Sequence, residues 1–285
     1  MTKKKDAAVK AAQNSSISPS LDTLFKNPTS EYRGAPFWAW NGKLDPDTCR
    51  RQIRQMHDGG LGGFFMHSRT GLVTPYLSKE WFDCINACTD EAKKLKMRAW
   101  LYDEDRWPSG AAGGLVTKDA PKYRTRRLFI YVCPNGIIPE DFPEDCGKPV
   151  TAAFLKKSGA IALFGAKILS TDSLAVAMGG VSPSSAVSEK KKNGGIWSAS
   201  SVRRLSLAKD PAVLDGESII FARIEIADTS SWFNGGAYLD TLNPDATKQF
   251  IKVTHDAYAK DLGKDLGGIV PGIFTDEPNH ANARG

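Results

Sequence analysis

Four short apolar runs along the chain each end in polar or acidic side chains. The runs cover residues 37–40, 61–66, 97–102 and 269–274. Strands of a parallel sheet are buried on both faces and form continuous apolar runs, and in a (β/α)8 barrel the reacting groups lie where those strands end. The pattern predicts a carboxylate-lined pocket at one edge of a parallel sheet. The polar residues that end the runs are Asn41, His67, Arg69, Asp103, Glu104, Asp105, Asp276 and Glu277.

Amphipathic helices are predicted between these strands. Asp45 and Pro46 form a typical helix start, and that helix is expected to run to about Met56, before two glycines. Ser78 caps a second helix, whose apolar side chains recur at helical spacing. The alternation of strands and helices predicts right-handed crossovers and a parallel sheet. The apolar stripe of the second helix consists of Trp81, Ile85, Cys88, Ala92 and Leu95.

The alternation stops after Gly114, and a different pattern follows. Residues 120–235 are predicted to form an inserted β-rich subdomain or lid. Within it, a stretch rich in serine, glycine and lysine at residues 182–201 is predicted to be a disordered loop. The predicted strands of this insertion cover residues 127–133, 151–155, 160–169 and 218–226.

The barrel pattern resumes in residues 236–285, where Asn243 caps a third helix before a fourth strand at residues 269–275. Without the insertion and the N-terminal segment, the chain supplies about half of the roughly 250 residues of a whole barrel. Residues 31–119 and 236–285 therefore predict an α/β fold, a partial TIM (β/α)8 barrel of about four strands with a β-rich insertion after the third. Residues 1–30 are interpreted as a disordered basic tail. The inward side chains of the third helix are expected to be Ala246, Phe250, Val253, Ala257 and Leu262.

An incomplete barrel has a consequence for assembly. We interpret the chain either as a fragment truncated after the fourth strand or as one of two copies that complete each other. In both cases edge strands and an apolar inner face are open, so the isolated chain is expected to dimerise or aggregate.

The charge of the chain does not indicate a nucleic-acid-binding protein. The formal net charge is +6, but much of the basic excess lies in residues 3–5, 124–127 and 190–192, near no recognisable nucleic-acid-binding motif. Solvated tails and loops account for such charges, so no nucleic-acid partner is predicted. No apolar stretch approaches the roughly 20 residues of a membrane helix, so no membrane partner is expected.

The cysteines and the N-terminal segment bear on location. The five cysteines form no CxxC pair, and an odd count of this kind is typical of reduced thiols. The lysines at residues 3–5 are followed by no apolar segment of the kind that defines a secretory signal. Both features favour a cytoplasmic location, whereas a start codon assigned downstream of a true signal would mean export.

Four ordered motifs carry a resemblance to a known family. Residues 35–42, 62–72, 100–110 and 271–278 resemble the N-terminal half of the catalytic barrel of family 106 glycoside hydrolases, the α-L-rhamnosidase-like proteins. The resemblance covers roughly residues 31–278 and includes the position of the insertion. It implies an inverting glycosidase whose members continue into a second barrel half and β-sandwich domains, and it implies calcium in the family.

Glu277 is the candidate catalytic residue. Glycoside hydrolysis requires two carboxyl groups, one of which donates a proton to the leaving oxygen. Glu277 follows the fourth predicted strand, Pro278 blocks regular continuation of the backbone, and Asp276 would favour protonated Glu277 if the two side chains approach each other. The second carboxylate is expected on the missing half. The alternative for Glu277 is an N-cap or first-turn acid of a following helix.

The remaining candidates are assigned to substrate binding. The triplet 103–105 suits sugar hydroxyls or a hard cation such as calcium, or else salt bridges to Arg98, Arg106 or Arg69. Trp107 could stack on a sugar ring, and His67 is either a substrate ligand or a structural histidine. No metal ligand is assigned by residue. The substrate-binding candidates are Asn41, His67, Arg69, Asp103, Glu104, Asp105, Trp107 and Asp276.

Two function classes follow from these features. The first is a carbohydrate-active hydrolase acting on a rhamnose-like glycoside, and the second is a non-catalytic or degenerate carbohydrate-binding barrel fragment. Residues 110–114 superficially resemble a phosphate loop, but they lack the lysine and serine of a Walker A motif and the spacing of a dinucleotide fingerprint. No nucleotide cofactor is therefore predicted.

Overall fold

The computed structural model describes residues 20–172 and 196–280, which fall into two compact units. The first comprises the described parts of Met1–Thr125 and Asp228–Gly285, and the second that of Arg126–Ala227. The second unit is thus shorter at both ends than the predicted insertion. Residues 1–19 of the predicted tail, residues 182–195 of the predicted loop and residues 281–285 lie outside the described residues.

The described chain contains six α-helices and eight strands, with short 3-10 turns between some of them. In chain order the elements are α1 (Leu21–Lys26), β1 (Phe37–Gly42), α2 (Pro46–Asp58), β2 (Gly63–Leu72), α3 (Lys79–Leu95), β3 (Arg98–Tyr102), β4 (Arg126–Pro134), α4 (Ala152–Ser158), β5 (Ala160–Asp172), β6 (Ile196–Arg204), β7 (Ser218–Ile226), α5 (Pro244–Val253), α6 (His255–Leu262) and β8 (Ile273–Phe274). The 3-10 turns are Ser30–Tyr32, Pro121–Tyr123, Ser231–Phe233 and Gly263–Asp265.

The first unit contains a four-stranded parallel sheet in the order β1-β2-β3-β8. Phe37 pairs with Phe65 across the first two strands, and Leu101 pairs with Ile273 across the last two. The prediction of a parallel sheet from the alternating pattern is confirmed. One core joins sheet and helices, and its large buried side chains are Trp40, Ile53, Phe64, Met66, Trp81, Ile85, Leu101 and Tyr258.

The helix starts follow from side-chain caps. An Asp45 carboxylate oxygen accepts the Thr48 N–H at 2.8 Å at the start of α2, and the Ser78 hydroxyl accepts the Trp81 N–H at 3.2 Å at the start of α3. The predicted stripe of α3 is buried from Trp81 to Ala92. The first two of the three helices predicted from the sequence are therefore confirmed. Ser20 caps α1 in the same way, so residues 20–30 of the predicted tail contain a helix.

The third predicted helix is interrupted. Thr254 separates α5 from α6, with φ −100° and ψ −71°, and its buried hydroxyl donates to the Phe250 carbonyl at 2.7 Å. A threonine hydroxyl bonded one turn back commonly bends a helix. The fourth strand was predicted at residues 269–275, but only Ile273–Phe274 is assigned as β8. Residues 265–270 instead form a turn, in which the Gly267 N–H donates to the Val270 carbonyl.

The second unit contains an antiparallel sheet in the order β4-β7-β5-β6. Its core includes Cys133, Leu155, Leu163 and Phe221. The predicted strand at residues 151–155 is wrong, because this segment forms helix α4. The Thr151 hydroxyl accepts the Phe154 N–H at 3.2 Å and so caps this helix. Residues 196–201 of the predicted loop belong to strand β6.

The five cysteines all lie within the described residues and are free thiols. Four are buried, and Cys146 is exposed. Among the described helices, none has the length and apolar content to cross a membrane.

Candidate functional site

The sequence candidates lie in or just after the four parallel strands, towards their carboxyl ends. The structure divides them by exposure. Asn41, Arg69 and Glu277 are exposed, and Trp107 and Asp276 are half-buried. The other candidates, His67, Asp103, Glu104 and Asp105, are buried. The candidates thus form an exposed rim and a buried layer.

Glu277 lies three residues after the end of β8, the strand paired with β3. Its carboxylate oxygen Oε2 accepts the indole N–H of Trp107 at 3.0 Å. Trp107 is held in turn through its carbonyl, which accepts the indole N–H of Trp232 at 3.0 Å. Glu277 has φ +44°, in the left-handed region. This backbone conformation costs a non-glycine residue of order 1 kcal/mol, and such strain is frequent at functional sites.

Asp276 points to a neighbouring side chain of β3. The Tyr102 hydroxyl donates to Oδ2 of Asp276 at 2.9 Å. Burial, together with this bond to a carboxylate, raises the pKa of Tyr102 well above its ordinary value of 10. Tyr102 therefore stays a hydrogen-bond donor and fixes one oxygen of Asp276.

His67 packs among aromatic rings next to this pair. Its ring centroid lies 3.8 Å from that of Tyr102 and 5.0 Å from that of Phe37. Burial, with a contribution from the Arg69 charge, lowers the pKa of His67 to about 4, and the Asp276 charge opposes the change. The imidazole is therefore neutral near pH 7. Its buried Nδ1 has no hydrogen-bond partner among the described residues.

The lowered pKa of His67 makes stability depend on pH. In the unfolded chain this group titrates near pH 6.5, so between pH 6.5 and 4 the unfolded state binds more protons than the folded state. The free energy of unfolding should fall by about 1–3 kcal/mol through this window as the pH falls. His67→Phe keeps an aromatic ring but cannot bind a proton. In urea unfolding at a series of pH values, this variant should lack the fall in the free energy of unfolding that is due to His67. A surface control, His57→Gln, should keep it, and an unchanged profile in His67→Phe would contradict the assignment.

Asp103 lies in the buried layer, with 0 % of its surface exposed. Its carboxylate accepts the hydroxyls of Ser109 and Thr275, each at 2.6 Å, and lies 3.2 Å from Nε2 of His255. The chain's own groups thus engage both oxygens. This geometry does not support the prediction that Asp103 binds substrate directly.

Glu104 closes a backbone loop. Its two oxygens accept five backbone N–H groups at 2.5–3.0 Å, from Asp105, Gly110, Ala111, Ala112 and Gly113. Burial raises the pKa of Glu104 to about 7, and these N–H groups oppose the change. The glycine-rich segment that superficially resembles a phosphate loop therefore surrounds a carboxylate of the chain itself. A direct contact of Glu104 with substrate is likewise not supported.

Glycine is required in this loop for a specific reason. Gly113 and Gly114 have φ +60° and +87°, which L side chains rarely adopt. A Cβ at Gly114 would lie 2.1 Å from the Phe233 carbonyl oxygen. The two glycines thus allow the backbone to curl around Glu104.

Asp105 is 4 % exposed and also has internal partners. Its carboxylate accepts the Ser68 hydroxyl at 3.0 Å and the Asn234 side-chain amide at 2.9 Å, and Nε of Arg106 lies 3.4 Å from Oδ2. Of the three arginines considered as salt-bridge partners for the triplet, Arg106 is the one that approaches it. Asp105 borders a cavity of about 300 Å³ that is lined by Leu72, Val73, Thr74, Pro75, Tyr76, Asp105, Gly113, Leu115 and Asn234.

The acid triplet does not fit a calcium site. A calcium ion needs six to eight oxygen ligands that are free to face it, whereas these carboxylates are bonded to donors of the chain. Within the described part of the chain, no group of three or more histidine, cysteine, aspartate or glutamate side chains is arranged to hold a metal ion. We therefore assign no step to calcium.

Several residues of the site are not among the sequence candidates. Five of them contact the candidate acids, and Trp232 donates to the Trp107 carbonyl. Their spacing along the chain gives no signal, because their partners are distant in sequence or lie in other loops. The glycine and alanine run after Trp107 was a visible signal, because the backbone amides of such a run can surround an anion. The missed residues are Tyr102, Ser109, Trp232, Asn234, His255 and Thr275.

Comparisons with known proteins show only a weak structural likeness. No family model matches the chain, and no curated protein matches it. Among solved structures, a rhamnosidase from Novosphingobium sp. PP1Y aligns with 55 % of this chain and 16 % of its own length, at 20 % identity and a TM-score of 0.35. This chain therefore spans a small part of that structure. A likeness of this size carries no argument about activity.

Proposed function

We propose that the parallel sheet is part of a TIM (β/α)8 barrel and that its carboxyl edge is the active site of an α-L-rhamnosidase-like glycoside hydrolase. The supporting observation is the exposure, backbone conformation and hydrogen bonding of Glu277. It is an exposed glutamate at the end of a parallel strand, on a left-handed backbone, with one carboxylate oxygen held by the Trp107 indole. Barrel enzymes carry reacting groups at this edge.

The proposed role of Glu277 is that of the general acid. The Trp107 N–H engages Oε2, so Oε1 is the oxygen that can carry a proton to the leaving oxygen of a glycoside. A fixed carboxyl group delivers its proton along one direction, which general acid catalysis requires. The second carboxylate of the mechanism belongs to the remaining part of the barrel in this proposal.

The exposed rim provides the groups for holding a sugar. Asn41 and Arg69 offer an amide and a guanidinium to hydroxyl groups, and the half-buried ring of Trp107 offers a stacking surface. Asp276 keeps Oδ1 beyond its bond to Tyr102. Nδ1 of His67 has no partner among the described residues, but it is buried, so this proposal gives His67 no direct contact with the sugar. In this proposal Asp103, Glu104 and Asp105 support the site from below.

The second candidate is carbohydrate binding without hydrolysis. It is favoured by the engagement of the buried carboxylates, which leaves Glu277 without an evident catalytic partner among the described residues. Such a protein would hold a sugar on the same rim and leave its linkage intact.

One pair of measurements separates the two candidates. Release of nitrophenol from 4-nitrophenyl α-L-rhamnopyranoside reports hydrolysis, and calorimetric titration with L-rhamnose reports binding. Both measurements are made on the chain joined to the remaining part of the barrel that the hydrolase proposal requires. The hydrolase proposal then expects both signals, the binding proposal expects heat of binding without release, and the absence of both contradicts each. The matching β-D-glucoside and D-glucose test the sugar preference.

We further propose that the chain associates with itself through the open face of the sheet. Phe37 is 54 % exposed there and packs against Phe65 and Phe274, with ring centroids 4.9 and 5.0 Å apart. Parallel sheets are normally covered on both faces. Sedimentation at increasing concentration should show dimers or larger species, and Phe37→Glu should reduce them more than the control Leu242→Glu. A monomer with a cooperative melt would contradict this proposal.

A further inference from the structure

The backbone just before Glu277 is held from both sides by one serine. The Ser109 N–H donates to the Asp276 carbonyl at 2.8 Å, and the Ser109 hydroxyl oxygen accepts the Asp276 N–H at 2.9 Å. Both polar backbone groups of Asp276 are thus satisfied by a single residue of the loop after β3. The next residue, Glu277, has the left-handed backbone conformation.

Asp103 fixes the direction of this serine. Its Oδ1 accepts the Ser109 hydroxyl proton at 2.6 Å, so the serine lone pairs face the Asp276 N–H. Its Oδ2 accepts the hydroxyl of Thr275 at 2.6 Å, and Thr275 lies on the same segment. A carboxylate with 0 % exposure therefore holds residues 275 and 276 through two hydroxyl groups.

A buried carboxylate suits this task better than a neutral group. Hydrogen bonds to an ionised acceptor are shorter and about twice as strong as those between neutral groups. If these bonds are lost, the left-handed conformation at Glu277 can relax towards the common regions of backbone space and move the carboxylate away from Trp107.

We propose that Asp103 is a positioning residue that sets the place of the Glu277 carboxyl group through Ser109 and Thr275. The catalytic role of Glu277 in this inference rests on the proposed function. The placement of the Glu277 carboxyl group by Asp103 does not. It replaces the hypothesis that Asp103 holds sugar hydroxyls. The two assignments predict opposite kinetics, since a sugar ligand acts on KM and a positioning residue acts on kcat.

The kinetic test uses phenyl α-L-rhamnopyranoside, whose leaving group needs protonation, and the chain joined to the second barrel half that the proposed function requires. Ser109→Ala and Asp103→Asn should lower kcat by about tenfold to a hundredfold, because small displacements of a reacting group have effects of this size. KM should change by less than about twofold. A rise in KM with kcat retained would overturn the proposal.

The second test does not require activity. In ¹H–¹⁵N spectra the Trp107 indole signal, assigned with Trp107→Phe, reports its bond to Glu277. Ser109→Ala, Asp103→Asn and Thr275→Val should each move this signal towards its position in Glu277→Gln. Thr89→Val, which removes a buried hydroxyl from α3, should leave it in place. A Trp107 signal unchanged in folded Ser109→Ala or Thr275→Val overturns the inference, whereas failed hydrolysis with a shifted signal counts against the proposed function alone.

Discussion

Glu104→Ala is expected to lower the free energy of unfolding of the first unit by about 3–5 kcal/mol. The substitution leaves five backbone N–H groups without the acceptor that now binds them. Their loop is largely buried, and Ala111 and Ala112 have 0 % exposure, so water cannot replace the carboxylate without opening the structure. Each buried donor left unpaired costs about 1–3 kcal/mol, which relaxation of the loop reduces in part.

The matched control is Glu91→Ala. Glu91 is also buried, at 3 % exposure, but its partners Arg54 and Lys94 have side chains that are 55 % and 64 % exposed and can return to water. The expected loss there is about 1 kcal/mol or less. Urea unfolding followed by tryptophan fluorescence measures both variants. Equal losses in the two variants would contradict the structural role of Glu104.

Glu277→Gln is expected to reduce hydrolysis in a manner that depends on the leaving group. The amide keeps the shape of the side chain but cannot donate the proton. For phenyl α-L-rhamnopyranoside, kcat should fall by at least about a hundredfold, the usual effect of losing a general acid. For the 2,4-dinitrophenyl glycoside, whose leaving group needs little protonation, the fall should be much smaller.

If the isolated chain is inactive, the assays of this variant are made on the chain joined to the second barrel half that the proposed function requires. The control Glu80→Gln changes an exposed acid in the first turn of α3 and should leave both rates unaltered. Equal losses on the two substrates would show that Glu277 is not the proton donor.

The parallel sheet and the first two of its helices could be predicted because their signals are local. Apolar runs mark β1, β2 and β3, and the caps at Asp45 and Ser78 mark where α2 and α3 begin. The error at α4 has a local cause as well. Its few apolar residues, such as Phe154 and Leu155, suit a strand as well as a short helix, and Thr151 and Gly159 as caps decide for the helix.

The roles of the acids could not be predicted, because their partners are distant in sequence. Asp103 is bonded to Thr275, 172 residues away, and lies 3.2 Å from His255, 152 residues away. Burial of Glu104 depends on five backbone N–H groups, which reach its carboxylate only when the loop curls around it. A strand end with three acids indicates a site, but the sequence alone does not say which acid faces solvent.

The Trp107 indole signal tests most directly the proposal that a sugar binds at the Glu277 end of the parallel sheet. Titration of the folded chain with L-rhamnose should shift this signal in a saturable manner, with smaller changes at Trp81 in the core. The same titration of Glu277→Gln should show an altered affinity or shift. A Trp107 signal that stays in place at saturating sugar, or a response confined to tryptophans elsewhere, would contradict the account.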